Sequence, residues 1–329
     1  QFFSSILVAR ENNAISDLKL HYDTYAPHNP DGMIKKFEMT GLFAYQSKDK
    51  FTMPLSFYFG PNKYTVLDQY DMNFEKLVPM GGWLIGWINK YIVVVLFEFL
   101  SKYITDIGII ILILTIIIKL ALSPLTIKSY KSSAMMRVIK PEVDKIGERY
   151  PKKEDAMKKQ QEVMALYKKA GINPMGGCIP MLIQMPFLFA MFRFFPASIE
   201  LRQQSFLWAD DLSSFDSVLN LPFTIPFYGD HISLFTLLMA VSLYFTSKLS
   251  MGQMDNTQMP GMKFMSLYMM PVMLLVWFNN YASGLTYYYL LSNFFTLAQT
   301  VGIRKFIDED KIHRTLKENA KKPVKKSKF

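Results

Sequence analysis

Apolar runs close to the thickness of a bilayer constrain this chain more than any other feature. From Ile107 to Pro124 one charged side chain occurs, Lys119. About 20 apolar residues in a helix cross a hydrocarbon core of roughly 30 Å. Five runs meet or approach that length: Asp106–Thr126, Gly177–Pro196, Ile232–Ser250, Lys263–Asn279 and Gly284–Ile303. They are continuous, whereas membrane β-barrel strands alternate in short segments. The expected fold class is a mainly α-helical, multi-spanning membrane protein with a five-helix core.

The net charge of +10 is unevenly spread. Residues 125–173 hold twelve basic and six acidic residues, and residues 304–329 hold ten and four. Residues 198–231 hold one basic and five acidic. Basic segments flanking spans stay in the cytoplasm. A helical hairpin over 127–171 and a tail over 305–329 are therefore expected inside, and the loop 198–231 outside. In the hairpin, Pro151 is expected to start the second helix and Gly171 to end it, with Met157, Val163, Met164 and Leu166 as its apolar stripe. Trp83, Trp87, Trp208 and Trp277 then fall near the outer boundary, where indole rings are favoured.

Two segments precede the spans. Residues 1–82 carry short aromatic and β-branched runs broken by Gly, Pro and Asn, which predicts the end of a water-facing β domain. Between Trp83 and Lys102, the polar residues Lys90, Glu98 and Ser101 fall within about 80° on a helical wheel. That predicts a helix lying in the membrane interface, with a spanning helix as the alternative. The chain starts at Gln1, which suggests a fragment of a longer protein.

Several chemistries are disfavoured. Cys178 is the single cysteine, and His21, His28, His231 and His313 make no metal-ligand spacing. The apolar runs contain no acidic residue except Asp106 at an outer edge, and they lack a Ser/His or Asp pair for catalysis. A small-solute or proton transporter is the alternative function. It lacks an intramembrane carboxylate or histidine relay and an evident inverted repeat. There is no phosphate-binding loop, and no cofactor is expected.

Lys119 has polar company. Thr115, Lys119 and Ser123 repeat at i, i+4 and i+8 and share one helix face. The fifth run carries Tyr289, Asn293, Thr296 and Thr300, with Ser292 and Gln299 adjacent; the second offers Gln184. One hydroxyl alone is interhelical glue. One lysine alone can snorkel to the headgroups. Two stripes and a lysine together predict a water-filled cavity open to the cytoplasm, its ammonium without a carboxylate partner. The Met-rich stretch Met251–Met265 suits either binding of apolar segments or packing at the membrane surface.

Three stretches, "KLALSPLT" (Lys119–Thr126), "NPMGGCIPMLIQMPFLFAMF" (Asn173–Phe192) and "SGLTYYYLLSN" (Ser283–Asn293), together resemble the YidC family of membrane protein insertases. The likeness covers about residues 83–304. It implies a hydrophilic groove that moves short polar segments of nascent proteins across the bacterial inner membrane and releases apolar helices into lipid. It implies no enzyme activity. The implied partners are nascent membrane proteins, membrane lipids, the Sec translocon and, through the basic tail, the ribosome, with the chain a monomer. By the same likeness, residues 1–82 end a periplasmic β-sandwich domain, and 103–304 is the insertase core. By that likeness Thr115, Gln184 and Tyr289 would line the groove with Lys119, and the stripes add Ser123, Asn293 and Thr296. The family usually has arginine where this chain has Lys119, so the charge is kept and the planar, bidentate fork is lost.

Overall fold

The computed structural model describes residues 2–9, 15–25, 33, 35–43, 54–151, 153–172, 179–251 and 263–306. Cys178, most of the Met-rich connection and almost all of the basic tail lie outside the described residues. The chain divides into two units, Gln1–Leu77 and Val78–Phe329.

Among the described residues, the first unit is built on four strands, as the aromatic and β-branched runs suggest. Strands β1 (Phe3–Ala9) and β4 (Leu55–Pro61) pair antiparallel, with Phe3 opposite Pro61 and Ala9 opposite Leu55. Strands β2 (Ile15–Thr24) and β3 (Lys35–Phe43) form a second antiparallel ladder, with an irregularity between Ser16 and Lys19. Behind β4, Tyr58 stacks edge-on against Tyr70 and tilts against Phe74, while helix α1 (Tyr64–Asp68) buries Leu67 completely.

The second unit is helical and begins with α2 (Trp83–Ile88), a π-turn over Asn89–Val93, and α3 (Val94–Ser101). A single uninterrupted helix was the simplest expectation here. The change of winding accompanies Asn89, which is fully buried and donates through Nδ2 to Met80 O (2.8 Å) and Ala190 O (3.0 Å). Val93, Phe97 and Leu100 face the protein, while Trp83, Trp87, Tyr91, Val95 and Phe99 are exposed.

Helix α4 (Ile107–Val138) starts where Asp106 accepts a hydrogen bond from Ile109 N, an N-cap at the outer edge of the first apolar run. Its 32 residues make it about 48 Å long, well beyond a bilayer core. This corrects the expected end near Thr126. Nothing between Thr126 and Val138 breaks a helix, so the first half of the expected hairpin helix is fused to the apolar run. The chain bends at Ile139, just before Pro141.

The hairpin itself is α5 (Lys140–Arg149) and α6 (Ala156–Ala170). Gly171, at φ 71°, ends α6 in the left-handed conformation that glycine adopts without strain. The core of the hairpin is Val143 and Ile146 against Val163, Tyr167 and Ala170, resting on Ala134 and Ile139. The expected stripe was partly wrong: Met157 is 75% exposed, and Tyr167 and Ala170 take the positions one and two turns on from Val163.

Helices α7 (Ile179–Ala197), α8 (Leu234–Met251), α9 (Met270–Phe278, entered through a π-turn over Met265–Met269) and α10 (Ser283–Phe306) coincide with the other four apolar runs. Of the described helices, the stretches Trp83–Ser101 and Ile107–Val138 are long and apolar enough to cross a membrane by themselves; Leu182–Ala197, Leu234–Leu249 and Met265–Phe278 are shorter apolar segments. The dry centre of this unit is Ile110, Ile111 and Leu114 of α4, Met191 and Phe195 of α7, Phe235 and Met239 of α8, and Leu285 of α10.

The acidic loop 198–231 is more ordered than its composition suggests. It contains strands β5 (Leu219–Ile225) and β6 (Gly229–Ile232), an antiparallel hairpin that was not anticipated. The loop is tied to the helix ends. Asp216, 2% exposed, accepts from Trp208 Nε1 (2.9 Å), Ser233 Oγ (2.5 Å) and Phe235 N (3.0 Å), and so caps the start of α8. Asn279, fully buried after α9, donates to Tyr228 O and His231 O and accepts from Ser233 N. Gly284 donates its amide to Leu212 O at 3.0 Å; a Cβ there would sit 2.7 Å from Leu201 Cδ2, so the close approach requires glycine.

Candidate functional site

Helices α4 and α10 pack side by side and are joined by a polar ladder. Lys119 Nζ donates to Thr296 Oγ1 at 2.9 Å. One turn later, Gln299 Nε2 donates to Ser123 Oγ (2.7 Å) and weakly to Lys119 O (3.4 Å). At the next rung the hydroxyls of Tyr130 and Thr300 meet. The sequence sets this register. Positions 119, 123 and 130 recur at i, i+4 and i+11, and positions 292, 296, 299 and 300 recur at the same helical period. Pro124 lies inside α4, and its ring nitrogen cannot donate to Leu120 O, so the ladder sits beside an interrupted turn.

Lys119 is 4% exposed, more enclosed than the expected open, wet cavity. Among the described residues, Thr296 Oγ1 is the acceptor it has, and no Asp or Glu pairs with it. An ammonium has three N–H donors. Two remain for water or for an arriving acceptor, and a neutral hydroxyl leaves the charge itself uncompensated.

The other expected residues divide. Thr115 is fully buried, and its hydroxyl bonds back to Ile111 O at 2.7 Å within its own helix. It shares the face of Lys119 without joining the ladder. Gln184 of α7 reaches Ser292 Oγ at 3.5 Å, and Tyr289 OH reaches Leu188 O at 3.4 Å; these join α7 to the same face of α10. Asn293 turns away: its Nδ2 donates to Ser242 Oγ (3.0 Å) and Met239 O (3.4 Å) on α8. One residue beyond Ser292 is about 100° around the helix, which is enough to change neighbours. Gln299 and Thr300 were visible in the sequence as neighbours of the stripe. Tyr130 was missed because α4 was expected to have ended before it.

A sequence profile for the family described as 60Kd inner membrane protein matches residues 99–311. The membrane protein insertase YidC of Parabacteroides distasonis is 48% identical over an alignment covering 100% of this chain and 53% of that protein. Its counterpart in Bacteroides fragilis is 44% identical, over 98% of this chain and 53% of its own length. Among solved structures, an active YidC insertase crystallised with its first transmembrane domain resolved is 26% identical, with a TM-score of 0.49, covering 74% of this chain and 54% of that one. The chain spans about half the length of the curated relatives it matches. With nearly two thirds of its length inside the matched profile, this chain belongs to the 60Kd inner membrane protein family.

Proposed function

We propose that this chain inserts membrane proteins into the bacterial inner membrane, using the α4–α10 ladder to receive a polar segment of the substrate. The observation that carries the reading is Lys119: an ammonium buried between two apolar helices, with a neutral hydroxyl as its acceptor among the described residues. Such a charge is costly to keep unless something anionic visits it. A carboxylate on a nascent chain would take the two remaining donors. Crossing bare hydrocarbon is costly for every polar group of a translocated tail. A ladder of hydroxyls and amides beside Lys119 replaces part of its hydration. Beside the ladder, α4 exposes Leu120 and Ile127 and α10 exposes Phe294 and Val301, apolar surfaces along which a substrate helix can pass into lipid. Burial of that helix in the bilayer drives release, and no nucleotide or cofactor is needed.

In this reading α4 and α7 to α10 cross the membrane. The α5–α6 hairpin and the basic tail lie in the cytoplasm, and the loop 198–231 and the β unit, as the end of a periplasmic β-sandwich, lie outside. The α2–α3 segment rests in the interface on its exposed Trp83, Trp87, Tyr91 and Phe99. The partners are nascent membrane proteins, lipid, the Sec translocon for larger substrates, and the ribosome through the tail; the chain acts as a monomer and is not an enzyme.

Complementation of a depletion strain tests this. Lys119→Glu is expected to abolish insertion of substrates with acidic translocated segments while the protein accumulates normally, and Lys119→Arg to preserve insertion. Native insertion by both Lys119→Glu and Lys119→Ala would overturn the reading.

A further inference from the structure

The β5–β6 hairpin carries a surface that insertion through the ladder does not use. From Ser217 to Gly229 there are thirteen residues without a charge, set between Asp216 and Asp230 in an otherwise acidic loop. Leu219, Phe223 and Ile225 of β5 are exposed, as is Thr224 between the last two. Successive strand residues point to opposite faces. Both faces of the strand are therefore open, so the apolar side chains are not the buried side of a sheet.

The tip is more unusual. Tyr228 N bonds to Ile225 O at 3.1 Å, closing a four-residue turn with Pro226 second and Phe227 third. Phe227 adopts φ 67°, as the third position of a type II turn demands, where glycine or asparagine ordinarily stands. A bulky residue with positive φ is strained. Phe227 is also 93% exposed. In water this arrangement gains nothing for the aromatic ring.

The hairpin is held firmly in place. Tyr228 O accepts from Asn279 Nδ2 (3.0 Å) and Asn280 Nδ2 (2.8 Å), which fixes the residue next to the tip at the end of α9. Trp277, two residues before Asn279, is 66% exposed at the same end of that helix. Aromatic rings collect where spans leave the bilayer.

We propose that the β5–β6 hairpin is an outer-leaflet anchor, with the side chains of Leu219, Phe223, Ile225 and Phe227 seated at the boundary between phospholipid headgroups and acyl chains, and Phe227 deepest. The proposal rests on the reading that α8 and α9 span the membrane. Lipid fits better than a protein partner because the uncharged apolar face and its tip are held beside the exposed Trp277 at the end of an apolar helix, where aromatic rings meet the headgroups. The anchor fixes the outer ends of α8, α9 and α10 against the bilayer while substrate moves between α4 and α10.

Fluorescence quenching in lipid nanodiscs tests it. The full chain with Cys178→Ser receives one cysteine at a time, Phe227→Cys, Met273→Cys or Asp210→Cys, each labelled with an environment-sensitive nitrobenzoxadiazole. The discs contain phosphatidylethanolamine and phosphatidylglycerol, with or without shallow doxyl-labelled lipid. The label at 227 is expected to show blue-shifted emission, strong loss with doxyl lipid and little loss with aqueous iodide. The label at 210 should behave in the opposite way. Iodide quenching at 227 together with doxyl quenching at 273 would overturn the anchor and leave the spanning helices standing. Absence of doxyl quenching at 273 would instead overturn the membrane reading itself. Protection of 227 from both quenchers in native membrane vesicles would also overturn the anchor, in favour of a protein partner.

Discussion

Lys119 and Asp216 are both nearly sealed, at 4% and 2% exposure, yet they are treated in opposite ways. Asp216 accepts three hydrogen bonds, from an indole, a hydroxyl and a backbone amide at a helix start. Three donors and the helix dipole compensate its charge fully. Lys119 offers three donors to one neutral hydroxyl. A fold that needed only stability would have treated both charges like Asp216, or replaced the lysine with an apolar residue. The end of the helical unit that carries the loop 198–231 is held closed, whereas the α4–α10 ladder keeps donors open, as the proposed insertion requires.

The largest expected effect lies at the closed end. Asp216→Ala leaves the indole N–H and the Phe235 amide without their acceptor, while the Ser233 hydroxyl can turn to Thr236 Oγ1 at 2.8 Å. Each orphaned buried donor costs about 1–3 kcal/mol, so a total near 4 kcal/mol is expected after relaxation. The thermal midpoint in detergent should fall by roughly 10 °C. Asp216→Asn, which keeps an acceptor and loses the charge, should cost about half as much. A shift below about 2 °C for the alanine variant would mean that the clasp does not hold the loop, and the comparison would fail.

Gly284→Ala probes the same closed end by volume instead of charge. The added methyl meets Leu201 at 2.7 Å and Leu212 O at 3.1 Å. Backbone on one side cannot give way, so about 2 kcal/mol of overpacking is expected, read from the same melting curves.

At the ladder the sign reverses. Lys119→Met removes an uncompensated buried charge and keeps the volume. Replacement of buried charges by apolar residues is often stabilising by about 1–4 kcal/mol, and the low end of that range is expected here. Insertion of substrates with acidic segments should nevertheless fall. A stability gain with a functional loss is what separates a working charge from a structural one. Loss of both together would place Lys119 with Asp216.

How much of this was legible depends on whether a signal was local. The apolar runs and the β-rich start were, because hydrophobic length and period are written residue by residue. The Lys119, Ser123 and Thr296 meeting was legible for the same reason: stripes on two runs announce faces that want each other. The clasp was not. Asp216, His231, Ser233 and Asn279 come from three segments with no common spacing, and only the turn back of the loop onto α9 brings them together. Tyr130 was hidden by a boundary, since apolarity stops near Thr126 while helicity continues to Val138. Whether Asn293 bonds toward α4 or α8 could not be read from the stripe, because 293 and 300 are seven residues apart and share one side of the helix, yet Asn293 bonds to α8 and Thr300 to α4.

That last ambiguity gives the smallest and sharpest test. Gln299 and Asn293 lie on the same helix and make comparable amide bonds, one across to α4 at 2.7 Å and the other across to α8 at 3.0 Å. Interhelical bonds in membrane proteins are worth about 0.6 kcal/mol on average, so Gln299→Leu and Asn293→Leu should lower the melting temperature alike, by about 1–2 °C. Their effects on insertion should differ. If the ladder receives the substrate as proposed, the loss of Gln299 removes a polar group beside Lys119, whereas Asn293 bonds toward α8. Gln299→Leu is therefore expected to slow insertion measurably, with Asn293→Leu close to native. Equal losses of insertion would show that the face of α10 toward α8 works as hard as the face toward α4, and the ladder would no longer be the special half of the molecule.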